Sequence, residues 1–467
     1  MATQNTDDSS QKRAFQDLAD GEVFEKARDA AGDYMAGVMG QRVYPDEQGM
    51  AGLVAFDEAL PEGGGDAGEI VEQLHRVGSP GTVASLGGRY FGFVTGSALP
   101  VSLAARWLAD VWDQNSAIYR VSPTSAVLEE VCERWLRELL GLPDETVAGF
   151  VSGSASATFC GLAAGRYRVL DNLGWDVNQK GMNGAPPVRV VTSKDIHATV
   201  VKAVALLGFG IDNLELVETD EQERIVEAAV PELDSSTILI LQAGNVNSGS
   251  FDAFDGLCDK ARSVGAWVHI DGAFGLWAAA VPEFAHLCKG MNKANSWSVD
   301  GHKTLNTPYD SGVVLCRDRE ALVKAMQAIG SYIAYSKNRD GMLYTPEMSR
   351  RARVVEFWAA LKFLGRAGIV ELVSNFHLRA KQFADELQAE GFTIVNDVVF
   401  NQVLVGFENI TIRNHIIEHI EASGECWVGG ATFCGHSVIR ISVCSWATTA
   451  DDVSRSVKAF VAARASL

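Results

Sequence analysis

Between residues 147 and about 316, short β-branched runs alternate with stretches of helical periodicity, and this alternation constrains the fold more than any other feature. The strand candidates are VAGFVS (147–152), VRVVTS (188–193), STILILQA (236–243), AWVHID (266–271), SWSV (296–299) and GVVLCR (312–317). Strands separated by helices cannot be joined as tight hairpins; their crossovers cover both faces of a mainly parallel sheet. An α/β architecture follows, and ligands of such sheets bind beyond the carboxyl ends of the strands.

The flanks read differently. GEVFEKARDAAGDYMAGVMG (21–40), GDAGEIVEQLHRVGSPG (65–81), SALPVSLAARWLADVWDQN (97–115) and SPTSAVLEEVCERWLRELLG (122–141) have apolar positions at helical spacing. Residues 1 to about 20 read as a frayed tail. After Pro346 a long helix (349–368) precedes a smaller α+β unit. The expected organisation is an N-terminal helical segment (1–85), a large domain (86–345) and a small C-terminal α+β domain (346–467).

With 467 residues, 47% of them hydrophobic, the chain can bury two or three cores. No apolar run approaches the ~20 residues of a membrane span. The polar N-terminus lacks the apolar centre of a signal peptide, so a cytoplasmic location is expected. The eight cysteines are scattered, without metal-ligand spacing, and read as small buried hydrophobes. A formal net charge of −19 argues against nucleic acid or an anionic membrane surface as partner.

Four polar oddities fall at strand ends. In FVSGSASATFCGL (150–162) a strand ends in Ser-Gly-Ser and a small-residue helix begins, offering backbone N–H groups to a phosphate. In AWVHIDGAF (266–274) Asp271 ends an apolar strand, as a helix-capping carboxylate or as an anion that keeps a ring nitrogen protonated. His269 of that run is expected on the strand's other face, in a structural role. In VTSKDIHATV (191–200) His197 opens a helix, as a cap or as a flat imidazole stacked on a cofactor. In SVDGHKTLNTPYDSG (298–312) Lys303 follows a strand, as a surface charge or as a nucleophile. One amine, one ring-nitrogen carboxylate, one phosphate cradle and one stacking imidazole together fit pyridoxal phosphate better than any other cofactor. No metal is expected.

Those segments resemble the group II pyridoxal-phosphate-dependent amino acid decarboxylases of fold type I, from about RYFGFVTGSALP (89–100) to the C-terminus. The resemblance implies Lys303 as the Schiff-base lysine with His302 beside it, Asp271 on the pyridine nitrogen with Ala273 under the ring, and His197 as the stacking, proton-handling residue. It implies Ser154 and Ala155 at the phosphate, Ser248 near the ring substituents, and Phe93 and Thr95 at the substrate pocket, next to a partner subunit of a homodimer. Three features depart from the family pattern. Asp300 stands where many members have Asn near the phosphate. The cradle is poorer in Gly and Thr than is common. The loop that carries a catalytic tyrosine elsewhere does not align cleanly, leaving Tyr332, Tyr335 and Tyr344 as candidates in 331–348.

The reaction these residues imply is decarboxylation of an L-amino acid to an amine and carbon dioxide. Two outcomes of the same cofactor stay open, an aldehyde-forming oxidative deamination and a carbon–carbon lyase reaction. A non-catalytic binding subunit is opposed by the intact Lys303, Asp271 and His197. Arg440, in SVIRISV, is expected to be mainly structural, and Arg353, near Arg350 and Arg351, to support the pocket floor. Phe91, Phe93, Trp107, Trp112 and Tyr119 lean the substrate towards an aromatic or medium-sized side chain.

Overall fold

The computed structural model describes residues 9–328 and 335–467. Its large sheet contains β1 (Val147–Val151), β2 (Arg189–Ser193), β3 (Leu214–Val217), β4 (Thr237–Gln242), β5 (Trp267–Asp271), β6 (Ser296–Asp300) and β7 (Gly312–Cys316), in the order β1-β7-β6-β5-β4-β2-β3. The β2–β3, β2–β4, β4–β5 and β5–β6 pairs are parallel; only β7 runs against its neighbours β1 and β6. Six strands coincide with the runs expected from sequence. β3 is additional: LELV is a partly exposed edge strand with no continuous apolar run to announce it.

Strand period and burial explain the two layers. On β4, Leu239 and Leu241 pack into the core on one face while Ile238 and Ile240 pack into the core on the other. The second layer is built largely on the Ser154–Asn172 helix, whose Ala and Gly positions let it lie directly on the sheet. Edge strand β1 is protected by charge: Glu133 accepts from the Ala148 N–H (2.8 Å), Arg350 donates to the Phe150 carbonyl (3.2 Å) and Arg339 to the Ala148 carbonyl. Arg339 and Arg350 in turn pair with the buried Glu129 at 2.8 and 2.6 Å. Breaking such a buried pair from one side costs about 3–5 kcal/mol.

The Val354–Ala389 helix runs on past the expected end, with Gly365 at φ 58° the one non-helical residue inside it. Val354 and Phe357 pack into the large core and Phe376 and Phe383 into the small one, so both units share this helix. The small unit's antiparallel sheet holds β8 (Thr393–Ile394), β9 (Gln402–Phe407), β10 (Gly429–Phe433) and β11 (His436–Ser442) in the order β10-β11-β9-β8.

The N-terminal segment differs from its expectation. Residues 10–20 are a helix, capped by the Ser9 side chain, rather than a frayed tail. This helix, Glu22–Gly37 and Ala67–Gln73 bury no residue, and Phe15, Leu18, Phe24 and Ile70 are exposed. Among the described residues no helix is long and apolar enough to cross a membrane. All eight cysteines are free and seven are buried, Cys434 being the exposed one.

Candidate active site

The neighbouring parallel strands β5 and β6 end side by side, with Asp271 paired in register to Ser298. Asp271 is 6% exposed. Its Oδ1 accepts from the Ala273 N–H and from the Ser298 hydroxyl, both at 3.2 Å, and Ser298 is held by the Thr158 hydroxyl at 2.9 Å. No hydrogen bond or ion pair from the described residues reaches Oδ2. His269 lies on the same face as Asp271, not the opposite one: its ring abuts Gly161 of the helix that carries Thr158. Period-2 alternation requires this of residues two apart. His269 is a core residue, fully buried, held by Ser296 Oγ at 2.8 Å, with burial pushing its pKa down to about 3.

Lys303 follows β6 in a tight turn that non-local groups clamp. Asn306, fully buried at φ 57°, shares the two protons of its Nδ2 among the carbonyls of Lys303 (2.9 Å), Thr304 (3.0 Å) and Cys444 (2.9 Å), and its oxygen accepts from the Ser97 and Trp446 N–H groups. Gly96 lies against the same turn, where a Cβ would sit 2.1 Å from the Lys303 carbonyl oxygen. Thr304 donates to the Phe274 carbonyl at 2.8 Å. The lysine backbone is thus fixed to β5's continuation, to the 95–99 segment and to the small unit at once. Its side chain stays 17% exposed, with Nζ 3.2 Å from Asp300 Oδ2.

Asp300 is the last residue of β6 and 1% exposed. It accepts from the Ser154 N–H at 2.5 Å and from the Ser154 hydroxyl at 2.7 Å. The cradle around it is close-packed: a Cβ on Gly153 would meet His302 Cε1 at 3.1 Å, and one on Gly312 would lie 2.4 Å from the Gly153 Cα. His302 Nδ1 accepts from the Ser311 N–H (3.1 Å), so the proton of the neutral ring sits on Nε2, 3.6 Å from Asp300 Oδ1. Burial lowers the pKa of His302 and keeps it neutral. Ala155 lies exposed in the first turn after Ser154, where helix N–H groups have no intrahelical partner.

His197 is the N-cap of the Ala198–Leu206 helix. Its Nδ1 accepts from the Thr199 N–H at 3.3 Å and lies 2.7 Å from the Thr199 hydroxyl. The capping and functional readings are therefore compatible, because the cap fixes the tautomer that leaves the proton on Nε2. Burial lowers its pKa first; Asp271 opposes that shift, and Lys303 and Arg440 add to it.

The remaining candidates divide. Phe93 is 66% exposed and stacks on Trp427, with Tyr90 stacked on the same indole. Tyr309 stacks on His302 at 4.2 Å. Ser248 is fully buried, its hydroxyl 2.7 Å from the Gln222 carbonyl oxygen and 2.8 Å from the Ser250 hydroxyl. Tyr344 is a core residue, 5% exposed, its ring under Arg339 and Arg319, and so cannot line a substrate pocket. Tyr335 donates its hydroxyl to the Ala328 carbonyl, and Tyr332 lies outside the described residues. Arg353 and Arg351 bind Asp310, and Arg440 donates to the Val246 carbonyl at 3.1 Å without a carboxylate partner among the described residues. Trp427, Tyr309 and Asn306 were not singled out from sequence; each acquires its place through partners distant in the chain.

The sheet order and the strand-end constellation define a pyridoxal-phosphate enzyme of fold type I. The donor set fits that group: a lysine, a buried carboxylate with one open oxygen, and a helix start whose glycine packs closely on His302. The family model "Pyridoxal-dependent decarboxylase conserved domain" matches residues 51–409, and the chain belongs to that family. It is 28% identical over 338 residues to an aromatic-L-amino-acid decarboxylase of Bacillus atrophaeus, covering 70% of this chain and 68% of that protein. It is 26% identical over 347 residues to the cysteine sulfinic acid decarboxylase of Homo sapiens, with the same coverages. The structure of mouse CSAD in its apo form superposes with a TM-score of 0.87 at 19% identity, over 96% of this chain and 99% of that one. The chain is a pyridoxal-phosphate-dependent carboxy-lyase by family.

Proposed function

We propose that this enzyme converts an L-amino acid to its amine and carbon dioxide, with Lys303 as the amine that holds the cofactor's aldehyde carbon. Bound pyridoxal phosphate supplies a carbonyl that captures the substrate nitrogen and a ring that accepts the electron pair released at Cα. The observation that carries the reading is Asp271. Asp271 has neutral donors on one oxygen and leaves the other open at the mouth of the site, an acceptor free to take a bond from a protonated group. A pyridine nitrogen that keeps its proton is such a partner, and the Thr158–Ser298 chain holds the carboxylate still for it.

The other residues have separate tasks. His197, neutral and with its Nε2–H fixed by the Thr199 cap, would lie against the cofactor ring and could hold or move a proton near the substrate's Cα. Ser154 and Ala155 offer N–H groups at a helix start to the phosphate. The Phe93–Trp427–Tyr90 stack and the Tyr309–His302 stack present aromatic faces that favour an aromatic or medium-sized side chain. Ser248 and Arg440 act by holding the loop that contains Val246 and Asn247. The exposed apolar side chains of the N-terminal helices support a homodimer in which these helices are covered. Since Tyr335 is engaged and Tyr344 buried, neither is a free proton donor, which keeps the aldehyde-forming outcome as the second reading.

Borohydride reduction of the protein with pyridoxal phosphate, followed by peptide mapping, tests the anchor. The reading expects the phosphopyridoxyl mass on the peptide containing Lys303. Labelling confined to other lysines would overturn it.

A further inference from the structure

The donors best placed to hold a phosphate already hold something. The first N–H of the Ser154–Asn172 helix and the Ser154 hydroxyl both point to the Asp300 carboxylate, at 2.5 and 2.7 Å. Asp300 cannot easily retreat. Its own N–H is bound to the Ala273 carbonyl at 2.8 Å, its carbonyl accepts from the Trp277 indole at 3.0 Å, and its side chain is 1% exposed. The cationic group within ion-pair distance is Lys303, at 3.2 Å; the neighbouring His302 is kept neutral by burial. A carboxylate in the mouth of a helix N-terminus makes the same contacts a phosphate oxygen would make.

We infer that Asp300 is a resident anion of the phosphate cradle, which fills the Ser154 donors in the unloaded enzyme and competes with the cofactor's phosphate for them. This inference rests on the pyridoxal-phosphate reading of the site and adds a property to it. The phosphate contributes little to cofactor retention in this chain, because binding it means giving up hydrogen bonds already made and bringing a second anion against a buried first one. Cofactor therefore exchanges readily, and its aldehyde and ring carry most of the affinity. Asp300 is a positioning residue here, setting how the cradle divides its donors.

The experiment compares pyridoxal phosphate with pyridoxal, which lacks the phosphate, by equilibrium titration of the Lys303-dependent visible absorbance. It uses the full-length wild type and Asp300→Asn, with inorganic phosphate as a competitor. The asparagine keeps an acceptor for Ser154 and removes the charge. Asp300→Ser, which also removes the charge and leaves an oxygen, is the second variant should the first fold poorly. The expected result is that the affinity ratio of pyridoxal phosphate to pyridoxal rises by about tenfold or more on removing the charge. Inorganic phosphate should also become a stronger competitor. An equal change for both aldehydes would place the effect of Asp300 on Lys303 instead, and overturn the inference. So would a variant that holds pyridoxal phosphate more weakly, since Asp300 would then assist the phosphate. Absence of any Lys303-dependent absorbance in the wild type would sink the cofactor anchor itself, a result distinct from either.

Discussion

The ends of β5 and β6 lie next to each other and each carries a buried carboxylate, but the two are in opposite conditions. Asp271 has two neutral donors on one oxygen and none on the other. Asp300 is saturated by the Ser154 N–H, the Ser154 hydroxyl and the Lys303 ammonium. Asp300 is committed to donors of the protein itself, which an incoming anion must win from it, whereas Asp271 keeps one oxygen open to an incoming donor; the difference lies in what each carboxylate can still accept.

The largest expected effect separates the two ends. Asp271→Asn should lower kcat by about 10²–10³-fold, because it removes the charge that keeps the ring nitrogen protonated, while Asp271→Glu should recover part of that loss. Steady-state kinetics on folded, cofactor-loaded protein would show it, and a loss under fivefold would put the two carboxylates on an equal footing. The clamp at the end of β6 comes next. Asn306→Ala leaves the Thr304 and Cys444 carbonyls without that donor and the Ser97 and Trp446 N–H groups without that acceptor, while the Lys303 carbonyl keeps the backbone N–H of residue 306, at about 1–3 kcal/mol for each group left unpaired. Chemical denaturation should therefore show at least ~2 kcal/mol of lost stability, and an unchanged midpoint would refute the clamp.

Acid probes the layer beneath β5. The pKa of His269 is about 3 in the folded chain, below its ordinary 6.5. The unfolded chain takes up this proton as pH falls through about 6.5, whereas the folded chain resists until about 3, so stability falls across that window and is insensitive to His269 above it. His197 and His302, both shifted down chiefly by burial, act in the same direction. Thermal melts between about pH 7 and about pH 5 should show the decline, and His269→Gln should flatten part of it. The smallest effect is expected for Ser298→Ala, which removes one hydrogen bond from Asp271: about 3- to 10-fold in kcat, with KM little changed.

The contrast between the two strand ends was only half legible in the sequence. Apolar runs followed by Asp271 and by Gly301-His302-Lys303 announced strand ends with chemistry on them, and six strands of the sheet were readable from their β-branched content. Lys303, Asp271 and His197 carry local signals, since each follows directly on such a run. What was hidden depends on partners far along the chain. Asn306 reads as a turn residue in TLNTPYDSG, yet its bonds reach Ser97, Cys444 and Trp446. The engagement of Asp300 requires Ser154, 146 positions away. Trp427 meets Tyr90 and Phe93 through the small unit's docking on the large one. Tyr344 was drawn into the substrate reading by its neighbourhood in sequence, whereas packing against Arg319 and Arg339 removes it to the core.

The most direct test of the central claim is a mass balance. Purified protein with added pyridoxal phosphate is supplied with each common amino acid in turn, while carbon dioxide, amine, aldehyde and oxygen are followed together in the wild type and in Lys303→Ala. The account predicts carbon dioxide and amine in equal amounts from one class of amino acid, without oxygen uptake, and no product from the variant. Aldehyde formed with oxygen uptake, or turnover that survives the loss of Lys303, would contradict it.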